Sequence, residues 1–380
     1  MLKIGVIGYG IRISSIVKEL VETGEVQLVA VADIDVLGVK KRFQDFEPLK
    51  DATFYSDAEE MLKKERLDGV CIGTRCSLHT HYALLVARYN IPMFLEKPVC
   101  TNYEDLERLK SILHVSEKTV VSFPLRFTVF TTRIKEMIEG GKCGEIVQVQ
   151  AYNNVSYGHR YYHKWYRDEK ETGGMFMQKA THDFDYINYV LGEIKPVRVC
   201  AMKSKQYFKG DKPEGLLCSS CPDAKTCPES PQNIMKHDPA FPGEQCCFAV
   251  DTGNEDSGSA IVEYDNGMHV TYTQNFVTKF DAAKRGARFI GTEATLEFDW
   301  TKSEMTVYNH RDRFVERHTC PNNAAGHFGA DPILIQNFVD VMKGEDASHA
   351  TLCEGILSAE MCLAARKSAE EHIFVDITRV

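Results

Sequence analysis

No stretch of this chain approaches the roughly 20 consecutive apolar residues that a membrane-spanning helix needs, so no membrane partner is expected. Basic residues are scattered. Lys and Arg number 45 against 54 Asp and Glu, a formal charge of -9, with no basic cluster to track a phosphate backbone. That excludes nucleic acid and an anionic membrane surface as main partners. Internal repeats and low-complexity tracts are lacking too, and no Pro-, Gly- or Ser-rich linker interrupts the sequence. Any domains should therefore be tightly joined. The opening MLKIGVIGYG runs directly into an apolar strand and a glycine turn, which places the expected location in the cytoplasm.

What is present suits a large folded chain. The 380 residues exceed what one core usually serves, and 43% hydrophobic content can fill two interiors. Cysteine occurs 13 times, an odd number, and Cys71, Cys200 and Cys362 each stand alone in apolar segments. They read as reduced core residues.

The first third alternates strands and helices. Lys3 to Ile7 is an apolar strand, Gly8-Tyr9-Gly10-Ile11-Arg12-Ile13 a glycine turn, and SSIVKELVETG a helix. Two glycines let the backbone turn sharply and approach a pyrophosphate, whose charge the helix N-terminus favours. Ile13 occupies the place of a third glycine and implies a locally shifted helix. The next strand, VQLVAVAD, ends in Asp33, where an acid accepts hydrogen bonds from a ribose diol and repels a 2'-phosphate. NAD is thus favoured over NADP; the plain alternative is that Asp33 caps the following helix. Further strands are expected near 53–55, 68–72, 91–95 and 119–122, with helices between. The class is α/β: a doubly wound parallel Rossmann sheet over 1–123.

The fifth strand ends in Glu96-Lys97-Pro98. Ligands lie beyond the carboxyl ends of such strands, so Lys97 can reach a cofactor and a second ligand. Partial burial can lower a lysine's pKa and let it share a proton. Read alone, the pair Glu96 and Lys97 is a solvated strand end, and only its context turns the reading toward function.

From Gly144 the period changes. GEIVQVQAYNNV, SGSAIVEYDNGMHVTYTQNFV and ATLEFDWTKSEMTVYNH alternate as antiparallel strands, with a hairpin signal at Asp265-Asn266-Gly267. Residues 124–380 are expected to form a C-terminal α+β domain with a large, mostly antiparallel sheet, carrying a Cys-rich insertion at about 210–247. Inside it, the segment Gln178 to Leu191 has helical spacing. His182 and Asp185 share a face three residues apart, so a carboxylate can orient an imidazole and raise its basicity. A structural hydrogen bond would use the same spacing. His159, Arg160, Tyr161, Tyr162, His163, Trp165 and Tyr166 precede this helix, aromatic faces with hydrogen-bonding heads that suit a sugar ring or, equally, a core stripe.

VIGYG, the acid of AVAD, Gly73-Thr74 with His79 beyond it, and FLEKPV together resemble the glucose-fructose oxidoreductase and inositol dehydrogenase (Gfo/Idh/MocA) family. The resemblance implies that Gly8, Tyr9, Gly10, Ile11, Arg12 and Asp33 hold NAD, and that Thr74, His79, Glu96 and Lys97 line its nicotinamide half. Arg126 of PLRF matches the family's arginine after the sixth strand, near cofactor and substrate. It further implies a base or proton relay at His182, a substrate wall including Tyr162 and Trp165, substrate contacts from Lys97, Gln178 and His327, and homodimers or homotetramers through the C-terminal sheet. Asp331-Pro332 reads as a helix cap.

One departure matters. The family's acid four residues before the histidine is Gln178 here, and KATHDFD resembles a subgroup with Lys-x-x-His, some of whose members are redox-neutral NAD-dependent glycosidases. The expectation is therefore an NAD-dependent oxidoreductase acting on a secondary alcohol or ketone of a sugar, cyclitol or glycoside. The alternatives are such a glycosidase, or a non-catalytic NAD or sugar sensor.

LCSSCPDAKTC supplies Cys218, Cys221 and Cys227, and Cys246-Cys247 follows. Two cysteines at Cys-x-x-Cys spacing present thiolates to one tetrahedral ion, so a structural zinc on Cys218, Cys221, Cys227 and Cys247 is a candidate, beside a metal-free cluster or an iron-sulfur centre.

Overall fold

The computed structural model describes residues 1–320 and 326–378. The described chain falls into two compact units, the first with a parallel α/β sheet and the second an α+β unit with a mixed, mostly antiparallel sheet.

The first unit is built on six parallel strands: β1 (Leu2–Ile7), β2 (Val26–Ala32), β3 (Thr53–Tyr55), β4 (Gly69–Ile72), β5 (Met93–Leu95) and β6 (Thr119–Val121). Their order is β3-β2-β1-β4-β5-β6, the doubly wound arrangement whose crevice lies where the order reverses beside β1. The strands are continuous apolar runs because helices cover both faces: Val6, Val31, Ile72, Phe94 and Val121 have no exposed surface. The helix after β2, Val36–Arg42, is capped by Asp35, whose side chain accepts from the Gly38 N–H at 2.9 Å. Asp33 is thereby free of the capping duty.

The first compact unit comprises residues 1–131 together with a later stretch of the chain. The described part of 322–360 packs with the first unit, including the helix Asp331–Lys343 and the start of the helix Leu352–Glu371. The reason is apolar complementarity: an added Cβ at Gly69 in β4 would meet Met342 and Phe338 of the helix Asp331–Lys343 at 2.3 and 3.0 Å. Phe94 of β5 also meets Phe338 edge-on at 5.7 Å.

The second unit carries nine strands: β7 (Ile146–Asn154), β8 (Pro196–Ser204), β9 (Ser257–Tyr264), β10 (His269–Asn275), β11 (Lys284–Gly291), β12 (Ala294–Asp299), β13 (Glu304–Asn309), β14 (Val315–Thr319) and β15 (Val375–Asp376). They lie in the order β14-β13-β12-β11-β7-β10-β9-β8-β15, antiparallel except for β7 beside β10. Alternation along β9 shows the reason for a two-faced sheet: Ala260 and Val262 are buried while Ser259 and Ile261 point outward. The hairpin at 265–268 forms as expected, with Gly267 at φ +85.

Among the described residues, no helix is long and apolar enough to cross a membrane.

Candidate active site

The carboxyl ends of the first sheet are aligned by main-chain hydrogen bonds that run one residue beyond each strand. Asp33 N–H donates to Tyr55 O, Gly8 to Ala32 O, Gly73 to Ile7 O, Glu96 to Ile72 O and Ser122 to Leu95 O, all within 2.8 to 3.0 Å. Five residues that follow their strands are thus set in one row, and the row contains the glycine turn, the acid of AVAD and the Glu-Lys-Pro tripeptide.

The glycine turn is shaped for an anionic ligand. Gly8 has φ +76, and an added Cβ would lie 2.6 to 2.9 Å from Thr74, mostly from its backbone. The two loops therefore touch and only glycine fits. Gly10 is the N-cap of the helix Ile11–Glu22, no side chain caps it, and a Cβ there would meet Gly73 O at an ordinary 3.7 Å. The first turn of that helix offers main-chain N–H groups to a phosphate. Ile13, the misfit in the fingerprint, packs against a glycine from across the crevice. A Cβ on Gly73 would come within 2.4 Å of the Ile13 Cβ, so the close packing of the missing third glycine is supplied by a glycine on the neighbouring strand's loop.

Asp33 receives the Tyr9 N–H on one carboxylate oxygen and the Asp35 N–H on the other, both at 2.8 Å. These bonds fix the carboxylate and leave lone pairs for a diol. Tyr9 itself is buried, its ring edge-on to Phe43 at 5.1 Å, and burial raises its phenol above the usual range. Its contribution to the turn is its main chain. The residues present therefore fit NAD: a cradle of N–H groups for the pyrophosphate and an acid for the ribose.

Several expected contacts are placed differently. The Arg12 guanidinium does not stand free over the turn. It donates to both oxygens of Asp331 at 3.0 and 2.9 Å and lies 3.4 Å from Glu96. Asp331, only 1% exposed, is thus an ion-pair centre rather than a cap, since the N-cap of its helix is Ala330. His327 Nδ1 stands 3.0 Å from the same carboxylate. Burial would raise Asp331, and the hydrogen bonds of His327 and Arg12 outweigh it, holding the carboxyl well below its usual range. Three segments far apart in sequence are joined here: the glycine turn, the end of β5, and the chain entering the helix Asp331–Lys343.

His79 is buried, with Nδ1 2.7 Å from Pro98 O and Nε2 3.3 Å from Thr74 O. Burial lowers its pKa, so the ring is neutral and the shorter contact is the donated one. It ties the loop after β4 to the loop after β5 and positions Thr74 and Lys97. The Lys97-Pro98 peptide is cis, and Lys97 is half-buried. Arg126 is also a positioning residue: buried to 1%, it donates to His349 O at 2.6 Å and to Glu354 at 2.8 Å. Glu354 in turn accepts from the Thr351 N–H while Thr351 Oγ1 accepts from Glu354 N–H, a capping box at the head of the helix Leu352–Glu371.

In the second unit the segment Gln178–Leu191 is not one α-helix. Phe176–Ala180 is a π-helical turn, and the α-helix proper is Thr181–Leu191. The turn is held by Glu255, whose carboxylate accepts from the Met175 and Phe176 N–H groups at 2.9 and 3.0 Å. Such turns widen the helix and recur at functional sites. His182 and Asp185 are both buried in the helix at the expected three-residue spacing. Gln178 is buried, and its amide donates to Thr172 O at 3.1 Å.

An acid with several partners is Asp183, which the sequence did not single out. One oxygen accepts from Arg285 Nε at 2.9 Å, the other from Asn153 and Tyr272, both at 2.8 Å. Those partners stand on β11, β7 and β10, three neighbouring strands in the middle of the sheet. Lys179, one turn earlier, donates to Tyr157 Oη at 2.9 Å. The i,i+4 spacing of Lys179 and Asp183 was visible in KATHDFD; their partners were not.

The aromatic segment divides. Trp165 stacks on Tyr166 at 3.8 Å, and Tyr166 meets Tyr161 at 5.5 Å, all three half-buried. Tyr162 belongs to the interior instead of the substrate wall. It has no exposed surface, stacks on Phe208 at 3.9 Å and donates its hydroxyl to Glu255 O at 2.7 Å.

The zinc expectation is not supported. Among the described residues, no three His, Cys, Asp or Glu side chains are grouped so as to hold a metal ion. Cys247 shares a hydrophobic cluster with Val155, Tyr162, Met175, Phe208 and Phe276, and burial raises its thiol above the usual range. Burial, then the neighbouring Cys246 and Cys227, push Cys218 up to about 12. The insertion is fastened by polar links instead: buried Glu229 pairs with Lys279 at 2.8 Å and accepts from Tyr207 Oη at 2.9 Å.

Comparison with known proteins agrees with this geometry. The sequence profile of the "Oxidoreductase family, NAD-binding Rossmann fold" matches residues 2–123, and that of the "Oxidoreductase family, C-terminal alpha/beta domain" matches residues 135–377. The candidate oxidoreductase YteT of Bacillus subtilis is 27% identical over 347 residues, covering 81% of this chain and 79% of that protein. Myo-inositol 2-dehydrogenase of Thermotoga maritima is 26% identical over 207 residues, 50% of this chain and 55% of that enzyme. Levoglucosan dehydrogenase, solved with NADH and levoglucosan, superposes with a TM-score of 0.76 at 18% identity over 99% of both chains, a likeness of fold. The row of strand ends, the N–H cradle and both matching profiles lead to one statement: this chain is an enzyme of the Gfo/Idh/MocA oxidoreductase family, with an NAD-binding Rossmann domain.

Proposed function

We propose that the enzyme is an NAD-dependent dehydrogenase acting on a secondary alcohol of a sugar or cyclitol. The observation that carries this reading is the row of strand ends, which sets Glu96 and hence Lys97 beside the glycine turn and Asp33. NAD supplies the hydride acceptor when bound. Lys97 binds and polarises the reacting oxygen, and its three N–H donors suit an alcohol passing to a ketone. His182, steered by Asp185, takes the hydroxyl proton. Asp33 selects the unphosphorylated ribose. Inositol dehydrogenases among the relatives and levoglucosan dehydrogenase among the structural neighbours support a carbohydrate or cyclitol substrate.

A second reading has one observation in its favour. Gln178 is a neutral amide engaged with Thr172 O where the resemblance leads one to expect an acid, so the proton inventory differs from a simple dehydrogenase. In a redox-neutral glycosidase the hydride would be returned after elimination of the aglycone. A panel of free sugars, cyclitols and aryl glycosides, scored for NADH absorbance and for aglycone release, separates the two. NADH accumulation with free sugars or cyclitols is expected. Aglycone release without net NADH would establish the second reading instead.

Val147, Ile261 and Met202 are exposed on the second unit's sheet strands at 46%, 51% and 72%. A second copy of the chain covers that face in this reading, which predicts a dimer or tetramer by sedimentation velocity and dissociation in an Ile261→Asp variant. A monomeric wild-type protein would refute it.

A further inference from the structure

Lys179 is a buried cation whose recorded partners include no acid. It is 6% exposed, its ammonium donates to Tyr157 Oη at 2.9 Å, and it lies over the Tyr157 and Tyr161 rings at 4.7 and 4.9 Å from their centroids. Among the described residues, Lys179 makes no ion pair. The nearby charges do not compensate it. Arg285 and Asp183 neutralise one another at 2.8 Å, and the other Asp183 oxygen is taken by Asn153 and Tyr272. Arg160, 5.7 Å from the Tyr157 ring, is matched by Asp238 at 2.6 Å. One positive charge is left over.

Burying an ammonium without a counter-ion is unfavourable, and two aromatic faces offset only part of the cost. Burial would lower the Lys179 pKa, yet the tyrosines more than offset that and raise it, so the charge is kept. An ammonium has three N–H donors, and Tyr157 and Tyr161 each accept from it. The cluster opens to solvent through Tyr157, which is 39% exposed, and continues along Tyr161, Tyr166 and Trp165, flat faces of the kind that take the C–H side of a pyranose.

We propose that Lys179, with the tyrosine hydroxyls beside it, is a subsite for the carboxylate of an acidic sugar, so that the substrate class is a uronic or aldonic acid. A carboxylate matches the single excess charge, whereas a phosphate dianion would leave one charge uncompensated. The inference rests on the dehydrogenase reading for its chemistry but not for its binding.

The test uses the intact enzyme with NAD and matched probes: glucuronate against glucose, galacturonate against galactose, and gluconate. NADH formation gives kcat and KM, and calorimetry gives binding of each probe. The acids are expected to exceed their neutral partners in kcat/KM by about 100-fold. Lys179→Met should remove most of that preference through KM while changing neutral sugars by less than about threefold, and Lys179→Arg should restore part of it. Wild-type enzyme that treats acid and neutral sugars alike, or a Lys179→Met loss equal for both, overturns the subsite and leaves the dehydrogenase standing. Lys179-dependent binding of the acids with no hydride transfer overturns the dehydrogenase reading and leaves the subsite standing. Neither binding nor turnover of any acid probe refutes the subsite. Calorimetry on the wild type decides that outcome even where the Met variant fails to fold.

Discussion

Lys97→Met is expected to lower kcat by about three orders of magnitude while leaving NAD affinity within about threefold of wild type. The separation follows from where the two tasks are carried. In the proposed function the cofactor would be held by main-chain N–H groups at the start of the helix capped by Gly10 and by the Asp33 carboxylate, neither of which involves the Lys97 side chain. The reacting oxygen, by contrast, loses its cationic partner. Methionine keeps the length of the stem, and His79 still ties the loop through Pro98 O, so the loop keeps its place. Fluorescence titration with NADH measures the first quantity and steady-state turnover the second. Turnover near wild type would remove Lys97 from the chemistry, and a parallel loss of NADH binding would mean that it serves the cofactor.

The second large effect is on stability. Asp183→Ala should destabilise the second unit by about 3–5 kcal/mol, because it leaves Arg285 buried without its counter-ion. Arg285 is 9% exposed, and Asn153 and Tyr272 would lose their acceptor at the same time. The double variant Asp183→Ala with Arg285→Met should recover a substantial part, since the unpaired charge, more than the missing contact, dominates the cost. Denaturant unfolding of the three variants measures this. An Asp183→Ala protein within about 1 kcal/mol of wild type would show that the acid does not anchor helix to sheet.

Both predictions turn on residues that differ in how readable they were. The position of Lys97 just beyond a strand end was readable because strand, tripeptide and turn are local: the apolar run ends, a charged residue follows, and the topology of an alternating chain puts that end on the carboxyl side of the sheet. Gly8, Gly10 and Asp33 were readable for the same reason. Asp183 was not. KATHDFD offers four ionisable residues, Lys179, His182, Asp183 and Asp185, and period alone favoured His182 with Asp185; what makes Asp183 the hub is a row of partners from β7, β10 and β11, up to 102 residues away. Tyr162 shows the same limit in reverse. Its neighbours Tyr161 and Trp165 remain half-exposed while its own ring is stacked on Phe208, a residue of the insertion-side loop.

What the sequence determined by itself was the succession of elements, the parallel sheet, the change to antiparallel strands and the cofactor turn, since each depends on residues within one or two turns of one another. What only the tertiary structure decided were the partners. Ile13 fits because Gly73 lacks a side chain; Arg12 serves Asp331 and Glu96 rather than standing over the turn; Cys247 is core and not a ligand; and the helix Asp331–Lys343 packs with the first unit although it follows the second sheet. The physical reason is common to all four. Packing and charge pairing are satisfied between side chains brought together by the chain's return, and no local period records which residues those will be.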